Sequence, residues 1–118
     1  MRRRRSRLEA CLVYPRTTQK DNEGVLTECY NDPFEVEAET WPAGGNVEAK
    51  IYGERLTYIC NCRIAGKYTT KSEDGHLIYA LENGTLKEKD KFVTERGEEY
   101  QIIAIKPYKE LRLEMEKL

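Results

Sequence analysis

Several residues in this chain could do chemistry by type and spacing. Cys60-x-Cys62 places two thiols on alternate residues, and thiolates are zinc ligands and nucleophiles. Alternate strand positions share one face, whereas zinc-binding cysteine pairs usually sit on turns with two or more residues between them. No companion Cys-x-x-Cys accompanies the pair, and His76 is the single histidine. Packing is therefore the expected role, because cysteine behaves as a small buried hydrophobe. His76, beside Asp74-Gly75, is expected on the surface rather than as a ligand or base. AGKYTT (residues 65–70) resembles the end of a phosphate-binding loop, but that loop needs Gly where Asn61 stands and Ser or Thr where Tyr68 stands. Ser6 lies in a basic run and Ser72 in a turn, so neither hydroxyl has a base beside it. Asn83-Gly84-Thr85 matches a glycosylation acceptor and reads more simply as turn chemistry. The expectation is a protein that is not an enzyme, with no metal and no cofactor.

Two features suit binding instead. Arg2, Arg3, Arg4, Arg5 and Arg7 crowd the N-terminus, and since the net charge is −1 the remaining chain is acidic. A run of like charges repels itself and buries nothing, so residues 1–8 read as a disordered basic arm. Its sharper reading is a grip on an acidic partner or on nucleic-acid phosphates. The eight tyrosines could include a stacking platform for bases, as on small barrels that bind single strands. An acidic body repels phosphates, and tyrosine is also a common strand and interface residue.

The elements that must position these residues are strands. At 118 residues the chain suits one core, expected over residues 9–118. FEVEAETW sets Phe34, Val36, Ala38 and Thr40 on one face and Glu35, Glu37 and Glu39 on the other. A turn at residues 21–24 implies a hairpin between the first segments, and Asp74-Gly75 implies a second, projecting one. After Pro42, Gly44 and Gly45, the spacing of Val47, Ile51, Tyr52 and Leu56 suits a helix behind Asn46, weakened by Gly53, so the segment reads as a short helix or a mobile loop. LTYICNCRIA reads as a central strand with Tyr58, Cys60, Cys62 and Ile64 on one face. From Lys91 a three-segment meander follows, and YQIIAI reads as a central strand buried on both faces, with Ile103 and Ile105 in the core. ELRLEMEKL is open between strand and helix: a strand aligns Leu111, Leu113 and Met115, a helix Leu111, Met115 and Leu118. The fold class is mainly β, a small antiparallel barrel or sandwich with one short helix and a projecting hairpin or loop. No stretch approaches the ~20 apolar residues of a membrane span. LEACLVYPR lacks the apolar region and cleavage site of a secretory signal, so a reducing cytoplasm with free thiols is expected.

The order of these features resembles the head-closure, or head–tail joining, proteins of long-tailed bacteriophages. DNEG, VEAETWPAGG, LTYICNCRI, LKEKDKFVTERGEEYQIIAI and ELRLEMEKL follow one another as in that family, over most of residues 17–118. The pattern K-D-K-F-V (residues 89–93), a Gly turn and Y-Q-I-I (residues 100–103) agrees position by position. The arginine arm is no part of the pattern, residues 67–83 are longer than it, and Cys60-x-Cys62 is no signature of it. The resemblance implies a non-catalytic virion protein, made in the bacterial host cytoplasm. It would form a homo-oligomeric ring between portal and adaptor proteins above and tail-completion or tail proteins below. Packaged DNA would pass through without sequence-specific binding, and no membrane is involved. It further implies that Pro42, Ala43, Gly44, Gly45, Asn46, Val47, Glu48, Ile51, Tyr52 and Gly53 form a loop that projects into the channel and retains DNA. A small barrel that binds a peptide or single-stranded nucleic acid in the cytoplasm, with the arginine arm supplying affinity, is the alternative.

Overall fold

The structure, a computed structural model, describes residues 8–20, 22–44, 46–73 and 75–118, with the backbone alone at 18–20, 26–28 and 46–48. Among the described residues there are eleven strands: β1 (Glu9–Tyr14), β2 (Arg16–Lys20), β3 (Leu26–Tyr30), β4 (Phe34–Pro42), β5 (Ile59–Ile64), β6 (Thr69–Glu73), β7 (His76–Ala80), β8 (Thr85–Leu86), β9 (Lys91–Val93), β10 (Glu99–Pro107) and β11 (Leu111–Lys117). Six of them close an antiparallel barrel in the order β1-β4-β5-β11-β10-β9. β1 closes it by pairing with β4 on one side and β9 on the other. Closure removes the edges that an open sheet would leave. The fold is thus the barrel rather than the sandwich of the two expected forms.

The inward faces follow the period of two. On β4, Val36 and Ala38 are buried while Glu35 and Glu37 are exposed. On β11, Leu111, Leu113 and Met115 are at most 1% exposed, so this segment is a strand despite its helix-forming composition. Its backbone fills the gap between β5 and β10 and pairs with both, and tertiary pairing overrides helix propensity. β10 differs from expectation. Ile102 opposes Met115 and Ala104 opposes Glu114, leaving Ile103 as the extra residue of a bulge. Ile102 is fully buried, whereas Ile103 is half-buried and Ile105 only packs against the core from its margin. YQIIAI is therefore a one-sided barrel strand whose inward phase shifts at the bulge.

Two hairpins leave the barrel. β2 and β3 pair only with each other, so the hairpin at the expected turn excludes β1. Its root is fastened by Asp90, which is fully buried. The Asp90 carboxylate accepts from the Arg16 N–H at 2.8 Å, the Lys87 N–H at 2.9 Å and Lys87 Nζ at 2.8 Å. Lys91 Nζ adds cation–π contacts to Tyr14 and Tyr30, 5.2 and 5.6 Å from the ring centroids.

The second excursion is the sheet β6-β7-β8. Its base closes one side of the core with Tyr79 and Leu86, both buried, while every residue of β6 is exposed. Asp74, at the expected turn, lies outside the described residues. The turn before β8 is docked by the Asn83 amide, which donates to the Glu35 carbonyl at 3.0 Å. A Cβ on Gly84 would lie 2.5 Å from the Phe34 ring, so glycine is needed there for close approach. Gly84→Ala should lower stability by about 1–3 kcal/mol in urea denaturation. Gly44→Ala, in open space, should leave the midpoint unchanged; equal midpoints for both variants would contradict this docking.

Candidate functional site

The third excursion joins β4 to β5 and contains most of the residues singled out as a channel loop. Its neck is closed where the Ala43 N–H donates to the Ile59 carbonyl at 3.1 Å. Between lie α1 (Asn46–Tyr52) and a 3-10 helix (Gly53–Tyr58). Gly53, at φ 57°, takes the left-handed conformation that lets one helix turn into the other. Gly45 and the side chains of Asn46, Val47 and Glu48 lie outside the described residues, as do Arg2, Arg3, Arg4, Arg5 and Arg7. Leu8, assigned to the arm, is half-buried.

This excursion is strapped to the barrel wall. Glu114 and Glu116 alternate with the inward Leu113 and Met115, so they face outward on β11. The Tyr52 hydroxyl donates to Glu114 Oε1 at 2.8 Å. Arg55 makes a two-pronged pair with Glu116, at 2.9 Å from Nε and 2.5 Å from Nη2, and its guanidinium lies 5.8 Å from the Tyr52 ring centroid. Glu114 is 7% exposed and also pairs with Lys106 at 3.4 Å. The sequence pointed to Tyr52 as an apolar helix position, whereas the structure uses its hydroxyl as an anchor. Ile51 stands 66% exposed, outside any core. The expected strand from Leu56 begins only at Ile59, so Tyr58 does not share the face of Cys60, Cys62 and Ile64 and is exposed.

At the foot of the excursion the barrel mouth holds a cavity of about 260 Å³, bordered by Trp41, Tyr58, Cys60, Arg96, Tyr100 and Lys117. The Cys60 thiol, which borders this cavity with Tyr100, donates to the Asn61 carbonyl at 3.5 Å. Burial pushes Tyr100 up to about 12, Cys11 up to about 11, and Cys60 and Cys62 above the ordinary thiol value. These thiols are neutral core groups, which makes them poor nucleophiles and poor metal ligands at neutral pH. Among the described residues no cluster of three or more His, Cys, Asp and Glu could hold a metal ion. His76 and Ser72 are exposed on the β6–β7 hairpin.

A pH dependence follows from the raised thiols. Each is protonated in the fold and ionises more readily when unfolded, near the ordinary value of 9.0. Their contribution is complete below about pH 9 and is lost as pH rises toward the folded value of about 11 for Cys11. Urea midpoints should therefore be constant from pH 7 to about 8.5 and fall beyond it. A midpoint unchanged at pH 10.5 would show that the thiols are not sequestered.

Asp90 and Lys87 escaped the sequence reading as fastening residues. The available signal was Asp90 immediately before β9, preceded by Lys89, which takes a positive φ of 76°. Nothing local to that stretch names Arg16 as the partner. Among the described residues no helix is long and apolar enough to cross a membrane. The chain matches no protein-family model, no curated protein and no solved structure.

Proposed function

We propose that this chain is a structural subunit of the phage head–tail connector, of the head-closure type. It assembles as a ring below the portal and adaptor, continues the DNA channel, and offers the attachment surface for the tail. It works in the virion and catalyses nothing. The observation that carries this reading is the division of labour in the fold. One closed barrel holds the core, and the longer connections form outlying elements: the β2–β3 hairpin, the sheet β6-β7-β8, and the excursion after β4. Such appendages suit contacts with neighbours in a stack of rings. The resemblance over most of residues 17–118 supplies the biological setting.

The excursion after β4 serves as the channel element in this reading. Its Tyr52–Glu114 and Arg55–Glu116 straps hold it against the wall, and release of those straps is how it changes shape when the tail docks. The experiment is negative-stain imaging of the protein mixed with a portal–adaptor complex. An added ring is expected; no added density at high protein concentration would overturn the reading.

A second reading rests on the barrel mouth, where Trp41, Tyr58 and Tyr100 lie with Arg96 and Lys117. Aromatic rings beside cations are the means by which small barrels hold single-stranded nucleic acid. Titration with a labelled single strand at low salt decides it, since phosphate-borne affinity is greatest there.

A further inference from the structure

The outer wall of the barrel carries an arrangement that the fold itself does not require. In the ladder across four strands, Glu39 opposes Arg63, Arg63 opposes Arg112, and Arg112 opposes Lys106. Inward residues alternate with these, so three cations stand side by side on the outside. Like charges directly opposite one another destabilise a sheet. Arg63 is compensated by Glu39 at 3.1 Å and Glu110 at 2.8 Å, and Lys106 by Glu114 at 3.4 Å. Arg112 is exposed and makes no ion pair with a described residue. Beside it Trp41 and the 59%-exposed Tyr108 border a shallow cavity of about 190 Å³ that Lys106 and Arg112 also line. Aromatic rings next to arginine are the composition of an interface core.

The complementary surface is on the same molecule. Glu35 and Glu37 project from β4, and with Glu9 and Glu82 they border a groove of about 450 Å³ in which Lys67 is the cation among the described residues. Glu35, Glu37 and Glu82 are exposed and make no ion pair with a described residue. Charge therefore changes sign across this part of the wall, from acidic at Glu35 and Glu37 on β4, through the Glu39–Arg63 pair, to basic at Arg112 and Lys106.

We propose that the patch formed by Arg112, Lys106, Trp41 and Tyr108 docks the Glu35, Glu37 and Glu82 wall of a second copy of this chain. The two patches are different surfaces of one subunit, so the contact is heterologous and repeats from copy to copy. It uses Arg112, which has no ion pair among the described residues, and offsets the repulsion in the cation row. The inference rests on the ring reading above and names the surfaces that meet in that ring.

The test is sedimentation velocity of the full chain at low and moderate salt. Self-association of the parent protein is expected, weakening as salt rises because exposed charges carry it. Arg112→Glu, and separately the pair Glu35→Lys with Glu37→Lys, should each weaken it about tenfold or more, since like charges then face each other. All three positions are exposed, so both variants should keep the parent melting temperature. Mixing the two variants should restore association, because each then offers the other an opposite charge. A parent chain that stays monomeric, or an Arg112→Glu chain that associates like the parent, would overturn the proposal. So would an Arg112→Glu chain that loses single-strand binding while its self-association is unchanged. The portal–adaptor experiment is separate. Charge-dependent association without an added ring overturns the connector reading alone, and an added ring insensitive to Arg112→Glu overturns this surface alone.

Discussion

Ile102→Asp should unfold the protein. Ile102 is fully buried in the barrel core. Its N–H donates to the Asp90 carbonyl at 2.9 Å and its carbonyl accepts from the Lys89 N–H at 2.7 Å. The residue therefore joins the core to the turn before β9 and cannot swing outward without breaking both bonds. A carboxylate at that position would lie within the hydrophobic core and must be buried charged or protonated at a cost of several kcal/mol. A domain of this size is stable by about 5–15 kcal/mol in all. The lost apolar packing adds about 2–5 kcal/mol, as for Ile truncated to Ala. Far-UV circular dichroism should show no cooperative melt. Ile103→Asp, at the half-buried bulge position, should retain one at a lower temperature. If Ile102→Asp melts like the parent while Ile103→Asp does not, the inward phase of β10 is the reverse of the one described.

Asp90→Ala should cost about 2–5 kcal/mol, because the fully buried carboxylate is the shared acceptor of several donors. Two backbone donors, Arg16 N–H and Lys87 N–H, lose their acceptor together with Lys87 Nζ. A buried donor left without an acceptor costs about 1–3 kcal/mol by itself. Lys87→Ala should cost less, because the Lys87 side chain is 36% exposed and Asp90 would keep both backbone bonds. Asp90→Asn should fall between them, since the amide retains one acceptor oxygen. Urea unfolding gives the order, and amide exchange at Arg16 should accelerate most in Asp90→Ala. A loss below about 1 kcal/mol for that variant would mean that the β2–β3 root is held by other contacts.

The thiols expected to pack do so inside the barrel. Cys60 and Cys62 share the inward face of β5, with Cys11 on β1 inside the same barrel, and burial keeps all three thiols neutral. The candidate loop is less free than its glycines suggest. Gly53 serves a turn, Gly44 sits in open space, and the pairs Tyr52–Glu114 and Arg55–Glu116 hold the end of α1 and the 3-10 helix to β11. Those pairs span more than sixty positions of chain, a separation at which spacing carries no signal. The same holds for the cation row, whose members lie on three strands.

Periodicity and turn chemistry act between neighbours in the chain, so they were legible before any coordinates. The alternation in β4, the paired strands flanking Gly75, the meander of β9, β10 and β11 about Gly97, and the single core all follow from such local rules. Closure does not. It depends on Leu12 meeting Val93 and on β11 fitting between β5 and β10, contacts whose partners lie far apart in sequence. That long-range pairing made a barrel rather than a sandwich and held helix-forming ELRLEMEKL as a strand. It also turned one residue of "YQIIAI" into a bulge. Local preference amounts to tenths of a kcal/mol per residue, whereas burying one apolar side chain is worth about 1.5–3 kcal/mol. Where the two disagreed, burial in the closed barrel prevailed.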